Sequence, residues 1–242
     1  MKSFVFVMFW ACAITWGYAQ TTARVYAFYE YVLKNGMEDE FLAGYQRDLE
    51  WHKSKGDDWA WVGWFVMNGE RRGRFIDATP DHKWSDFDSW KVNGAENARF
   101  NKIHWTPYVE FSSGSYQVLL DEFSSFGREW YKSKYLQVFT FELLPGRETV
   151  FSDYLREFKL LAKLHAGAIQ AVWMRTASGG GVEEYHLLIC MDSIASMDVC
   201  IDLFRQENWP KTMKANYIAA VAASSSEFWS YRETLSLYPD KR

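Results

Sequence analysis

Proline and cysteine are scarce in this 242-residue chain: five prolines and three cysteines. Cys12 sits in an N-terminal apolar stretch. Cys190 and Cys200 lack the C-x-x-C or Cys/His spacing of a metal or redox site. Their neighbours, Leu188-Ile189 and Val199-Ile201, are apolar, which fits two buried thiols as well as a disulfide. Blocks of basic charge are also missing. Lys and Arg number 27 against 31 Asp and Glu and are dispersed, so nothing supports a nucleic-acid partner. After the N-terminal stretch, no apolar run reaches the roughly 20 residues a bilayer requires. His52, His82, His104, His165 and His186 show no H-x-x-x-H or H-E-x-x-H spacing, so no metal site is signalled. No P-loop, G-x-S-x-G or G-x-G-x-x-G occurs, and Gly179-Gly180-Gly181 reads as a hairpin connection. No cofactor is therefore signalled by a motif.

Aromatic residues are what the chain has in abundance, at 19%. The first nineteen residues, MKSFVFVMFWACAITWGYA, carry one lysine, an apolar run and a small-residue ending. They read as a signal peptide cleaved after Ala19, leaving Gln20 as the mature N-terminus and a secreted or periplasmic protein that keeps no membrane segment; an anchor helix is the alternative. Cys12 follows Phe9-Trp10-Ala11, a poor lipoprotein signal.

Shifted by 110 residues, the chain matches itself. Tyr29, Tyr31 and Leu33 fall on Phe139, Phe141 and Leu143; Gly36, Glu38 and Phe41 fall on Gly146, Glu148 and Phe151; Val62 falls on Val172 and Phe75 on Tyr185. Such self-similarity predicts two copies, residues 20–125 and 126–242. Each reads as a strand (25–33; 135–144), a Gly turn and an amphipathic helix. A strand (59–67; 168–176), a tight connection and a third strand (74–79; 184–190) follow. Helical regions opening at Ser85 and Ser193 then lead to a last strand (115–121; 227–232). The order is βαββαβ, a ferredoxin-like α+β unit, twice.

Such a sheet carries helices on one face and is normally polar on the other. Residues 59–67, WAWVGWFVM, are uncharged on both faces. The second face must therefore be covered, and the sheet of the other copy is the nearest cover. Two fused copies then form one intramolecular pseudo-dimeric barrel, a monomer or a weak homo-oligomer.

The segment Phe139 to Leu143, Pro145-Gly146-Arg147-Glu148 and Phe151, repeated in the first copy with Asn35 for proline, resembles the dimeric α/β-barrel superfamily of antibiotic-biosynthesis-type monooxygenases and NIPSNAP-like proteins. The aromatic ending Phe228-Trp229-Ser230-Tyr231-Arg232 is similar to that of secreted tandem proteins of this type. The resemblance implies two facing units forming a barrel. It says little about activity, because the superfamily includes cofactor-free oxygenases, haem-handling enzymes, isomerases and proteins without an assigned reaction. It also raises His104, on the second helical region, as a haem ligand, against the ordinary reading of a solvated helix histidine.

Candidate site residues come from polar groups on apolar strands, since an unpaired charge inside a barrel is costly. Glu30 shares a face with Tyr26 and Phe28, and its counterpart is Thr140. Arg175 follows Trp173, where the first copy has Phe65, and Asp77 matches Leu187; strand-end solvation is the plain reading for Arg175 and Asp77. His186 is mid-strand, fitting a hydrogen-bonded core histidine or a cavity wall. Trp59, Trp61, Trp64 and Trp173 fit an aromatic cavity or core filling. The expected site has Glu30 and His186 pointing into the barrel, Trp61 or Trp64 as an aromatic wall, and Trp173 and Arg175 as further ligand-binding candidates. Glu30→Gln is expected to leave folding intact and weaken ligand binding. The function expected is binding of an apolar or aromatic small molecule in the barrel. The alternatives are a cofactor-free monooxygenase using Glu30 and His186 as base and orienter, and a haem-binding protein.

Overall fold

A computed structural model describes residues 23–166 and 169–239, so the expected leader, with Cys12, lies outside the described residues. The first half runs β1 (Val25–Leu33), α1 (Glu38–Ser54), β2 (Val62–Val66), β3 (Phe75–His82), α2 (Trp84–Asp88), α3 (Gly94–His104) and β4 (Val109–Leu119). The second runs β5 (Tyr135–Leu143), α4 (Glu148–Ala166), β6 (Ala171–Ser178), β7 (Glu184–Met191), α5 (Met197–Phe204), α6 (Lys211–Ala220) and β8 (Val221–Tyr231). The helical regions break at Asn93-Gly94 and Pro210. Asn93 caps α3 by accepting from the amides of Ala95 and Glu96, and Pro210 stands just before α6, where its missing N–H costs nothing.

All strand pairs are antiparallel, and the eight strands close in the order β1-β3-β2-β8-β5-β7-β6-β4. Two seams join the halves. At one, Trp64 and Val66 of β2 pair with Tyr231 and Trp229 of β8; at the other, Gln117 and Leu119 of β4 pair with Thr176 and Met174 of β6.

This closure explains the doubly apolar second strand. Val62, Trp64 and Val66 point inward, into a core shared with Tyr26, Phe28, Leu136, Val138, Leu188 and Trp229. Phe65 and Trp61 point outward and pack with Phe41, Tyr45 and Phe75 under α1. The outer face of β5, β6 and β7 carries a third core beneath α4, α5 and α6, with Phe141, Phe158 and Trp173 at its centre. Each fully buried apolar side chain contributes about 1.5–3 kcal/mol, so three cores leave no face of the sheet unused.

Some boundaries differ from expectation. Trp59 precedes β2, and Trp61 makes only an isolated bridge with Leu237, because the C-terminal segment covers this edge. β4 and β8 begin at Val109 and Val221, about six residues before the expected starts. Their early parts, around Ser112-Ser113-Gly114 and Ser224-Ser225-Ser226, have no apolar alternation and are ordered by backbone pairing with β1 and β5. Cys190 and Cys200 are free thiols; burial pushes the Cys190 pKa up to about 12 and the Cys200 pKa up to about 11.

Candidate functional site

Two cavities bear on function. The first, about 530 Å³, opens inside the ring of strands between the β2–β3 and β6–β7 turns. Glu30 and His186 both line it. Glu30 is held by Arg71 at 2.5 Å and by Arg74, while Arg71 reaches both oxygens of Glu227 at 2.8 Å. The Trp229 indole also donates to Glu227, at 3.0 Å. On the opposite wall His186 is fixed by Thr140 at 3.2 Å, Thr176 at 3.0 Å and Glu184 at 3.0 Å. The rim adds Ser113, Ser115, Ser225 and Ser226. Every named charge here already has a partner, and the hydroxyls and carboxylates share the wall with Phe28, Ile76, Val138, Leu188 and Trp229.

The second cavity, about 310 Å³, lies on the outer face of the first half's sheet, between that face and helices α1 and α3. Two glycines shape it. A Cβ on Gly44 of α1 would sit 2.1 Å from the His104 carbonyl oxygen, so α1 and α3 can cross only with glycine there. A Cβ on Gly63 of β2 would meet the Leu235 carbonyl oxygen at 2.6 Å, so glycine lets the C-terminal segment lie flat on this strand.

Asp77 of β3 forms the floor and is 1% exposed. Its Oδ2 accepts from Tyr45 at 2.6 Å and from Tyr31 at 3.3 Å, while Oδ1 has no partner. Burial pushes its pKa up to about 7, against the two tyrosine hydrogen bonds. Asp48, one turn from Tyr45 on α1, is buried and pushed up to about 6 by the same cause. The Trp105 indole stands near Asp48 without closing a hydrogen bond, so both Asp48 Oδ1 and Trp105 Nε1 remain unpartnered.

At the cleft's end, Asp57 organises three rings. It accepts from His52 Nδ1 at 2.8 Å and from the indoles of Trp61 at 3.0 Å and Trp90 at 3.1 Å; the Trp59 amide adds a fourth bond at 3.1 Å. Burial would raise Asp57, but these donors outweigh it and hold the carboxyl below its usual range. His52 Nε2 faces Asp48 at 3.7 Å. Nine buried side-chain polar atoms lack a partner among the described residues, and five belong to residues lining this cleft: Asp48, Asp77, Asn97, Asn101 and Trp105. Unpaired buried polar groups are costly and cluster where a ligand completes them.

The 110-residue offset shows what the other half has done with this space. Asp48, His52, Gly63 and Asp77 correspond to Phe158, Ala162, Trp173 and Leu187. Phe158, Trp173 and Leu187 are fully buried in the second half's outer core. Asymmetry of this kind marks the first-half cleft as the candidate site.

The sequence-derived candidates are thus dispersed. Glu30 and His186 share the barrel cavity, Trp61 lines the cleft, and Trp64 is buried between the sheets. Trp173 lies in the second half's helix-side core, and Arg175 is exposed on that outer face. Trp61 and Trp64 are on opposite faces: Trp64 packs on the inner face against Phe28 and Trp229, which line the barrel cavity with Glu30 and His186, whereas Trp61 faces the helices. Asp48, Asn97, Asn101 and Trp105 were not anticipated; the signal available was Asp48, an acid on the helix face that also carries Phe41, Tyr45, Leu49 and His52.

The residues lining the cleft do not fit haem. His104 does not line the cleft, and its ring lies on Phe100 with centroids 4.0 Å apart. His52 has a carboxylate facing each nitrogen, and no lysine or arginine lines the cleft to meet haem's propionates. No group of three or more His, Cys, Asp or Glu among the described residues is placed to hold a metal ion.

No protein-family model matches the chain, and no curated protein matches it by sequence. Solved structures do match in fold. A Lactobacillus acidophilus NCFM protein provisionally classed as a monooxygenase aligns with TM-score 0.57 at 6% identity, over 86% of this chain and 94% of its own. An anthrone oxidase-like protein aligns with TM-score 0.57 at 10% identity, over 90% and 94%. A heme-binding protein from Thermus thermophilus aligns with TM-score 0.51 at 12% identity, over 88% and 92%. Chlorite dismutases share the arrangement as well. At these identities the likeness is one of fold: an α+β chain whose eight antiparallel strands close on themselves, as in monooxygenase-like and chlorite dismutase-like proteins.

Proposed function

We propose that this protein binds a small aromatic molecule in the cleft between α1, α3 and the outer face of the first half's sheet. One observation carries the reading: aromatic walls surround a cleft whose lining holds five unpartnered buried polar atoms, while the corresponding space in the second half is packed with Phe158 and Trp173. A few convergent polar groups in an aromatic pocket are the usual make-up of a small-molecule site. The test is a screen of small aromatic compounds by NMR, following the indole N–H signals. Shifts confined to Trp59, Trp61, Trp90 and Trp105 support the reading, whereas ligands that move only Trp229 place the site in the barrel instead.

A second reading is cofactor-free oxidation of a hydroxyaromatic substrate. It is favoured by Asp77, whose pKa of about 7 suits a proton acceptor at neutral pH, and by fold neighbours classed as monooxygenase or anthrone oxidase-like. Oxygen uptake with anthrone-type and dihydroxyaromatic compounds tests it; uptake that survives Asp77→Asn unchanged removes Asp77 from that role.

The same proposal covers the molecule's organisation. The 110-residue offset and the two cross-half seams support a chain of two fused ferredoxin-like copies acting as a pseudo-dimer, and the N-terminal nineteen residues support export.

A further inference from the structure

We infer that the cleft selects a small organic cation, an ammonium group carried on an aromatic body. This rests on the proposal that the cleft binds small aromatic molecules, and it adds the sign of charge and the polar group that the site recognises.

Three observations converge. First, charge: the charged side chains lining the cleft are Asp48, Asp77 and His52, with no lysine or arginine. His52 is already engaged by Asp57 at 2.8 Å and faces Asp48 at 3.7 Å, so no uncommitted cation is there to receive an anionic ligand. Second, hydrogen bonding: four of the five unpartnered atoms are oxygens, of Asp48, Asp77, Asn97 and Asn101. Even if the Trp105 indole closes on Asp48, the other three oxygens remain. They call for a ligand that donates several hydrogen bonds and accepts few, and an ammonium group offers three donors and no acceptor. Third, ring geometry: Trp59 stacks on Trp90 with centroids 5.3 Å apart, and Trp61 and Trp90 both pack against His52, at 4.9 and 5.7 Å. Asp57 pins the two indoles through their N–H groups, and such fixed rings attract ammonium ions over their faces. The volume of about 310 Å³ equals roughly ten water molecules, enough for one aromatic ring with a short side chain.

The buried carboxylate at the floor gives the cation a specific anchor. Asp77 Oδ2 is committed to two tyrosine hydroxyls and Oδ1 to nothing, so an ammonium group reaching Oδ1 completes the carboxylate and displaces no existing bond. Hydrogen bonds to a charged group in a dry setting are the strong ones. The second half, with Leu187 and Phe158 in these places, offers no such anchor.

The experiment compares 2-phenylethylamine, 2-phenylethanol and phenylacetate by calorimetry on the purified full chain at pH 8, with NMR of the indole signals to locate binding. The amine is expected to bind at least about tenfold more tightly than the alcohol, with the carboxylate weakest. Asp77→Asn should collapse the preference for amine over alcohol, and Asp48→Asn tests the opposite wall should the first variant fold poorly. If alcohol and amine bind equally at Trp59, Trp61 and Trp90, the cleft remains an aromatic site and the cation inference falls. Tighter binding of phenylacetate also overturns it. If none of the three moves those indoles, the cleft is not an aromatic-ligand site and both readings fall.

Discussion

At the scale of single residues, Asp77 carries the most specific consequence. Around it stand Tyr29 and Tyr31 of β1 and Tyr45, Asp48 and His52 of α1. Burial raises its pKa from 3.8 to about 7, so between those values the folded protein holds a proton that the unfolded chain has released. Stability from this group is therefore full at low pH and is lost as pH rises towards about 7, with Asp48 acting in the same direction up to about 6. Asp77→Asn keeps an acceptor for both tyrosines and removes the titration. The variant should be more stable than the parent at pH 8, by at most about 4 kcal/mol, and lose that advantage near pH 4, as urea unfolding at the two pH values will show. An unchanged difference across that range would mean Asp77 does not titrate there. For Glu30 the ion pairs lead to a different prediction from the one drawn from the sequence. Its carboxylate, 13% exposed, joins Arg71 and Arg74, so Glu30→Gln should destabilise the fold by about 1–3 kcal/mol. A variant with unaltered unfolding would show the barrel-mouth ion pairs to be energetically idle.

At the scale of elements, helix α1 shows how packing and site share one surface. Phe41, Tyr45 and Leu49 bury against the sheet, and Asp48 and His52 at helical spacing bring polar atoms to the same face. In α4 that face is apolar, with Phe151, Leu155, Phe158 and Ala162. The first helix gives up burial that its counterpart keeps, and the two orphaned oxygens of Asp48 and Asp77 mark where. The α1–α3 crossing is equally constrained. In an isolated helix Gly44→Ala would gain about 0.5–1 kcal/mol, but the new Cβ meets the His104 carbonyl oxygen. The melting temperature should therefore fall, reflecting a net loss of roughly 1–3 kcal/mol, and the cleft indoles should shift with it. A rise in melting temperature would show that α3 moves aside at no cost.

At the scale of the whole molecule, the decisive feature is that neither half covers its own inner sheet face. The core containing Tyr26, Trp64, Leu136, Leu188 and Trp229 draws on both halves, and both seams run between them. Residues 20–125 alone should expose Tyr26, Phe28, Val62 and Trp64 together with the open edges of β2 and β4. Size-exclusion chromatography of that fragment should give aggregate or homodimer. A folded, well-behaved monomer would contradict the interdependence of the halves.

How much of this was written in the sequence follows from which interactions are local. Strand and helix order, the tight connection after residue 67, and the need for a cover on both faces of residues 59–67 follow from short-range periodicity, and the matching segments 110 apart are visible by eye. Periodicity places Glu30 with Tyr26 and Phe28, and the structure puts that face in the barrel interior. It could not decide that Trp61 and Trp173 face helices while Trp64 faces the opposite sheet, because alternation fixes sides within a strand and not between strands. The cleft was further from view, since its wall is assembled from α1, β3, α3 and the segment around Trp90, distant in sequence. Asp77 was visible as a polar residue whose counterpart at the 110-residue offset is Leu187, but strand-end solvation explained it equally well until Tyr45 and Tyr31 were seen to close over it. The sequence by itself determined the elements, their order and the positions where the two halves differ in chemistry. Only tertiary structure decided that those differences gather in one cleft, because burial and proximity depend on how helices cross a sheet, and no short stretch of chain encodes that crossing.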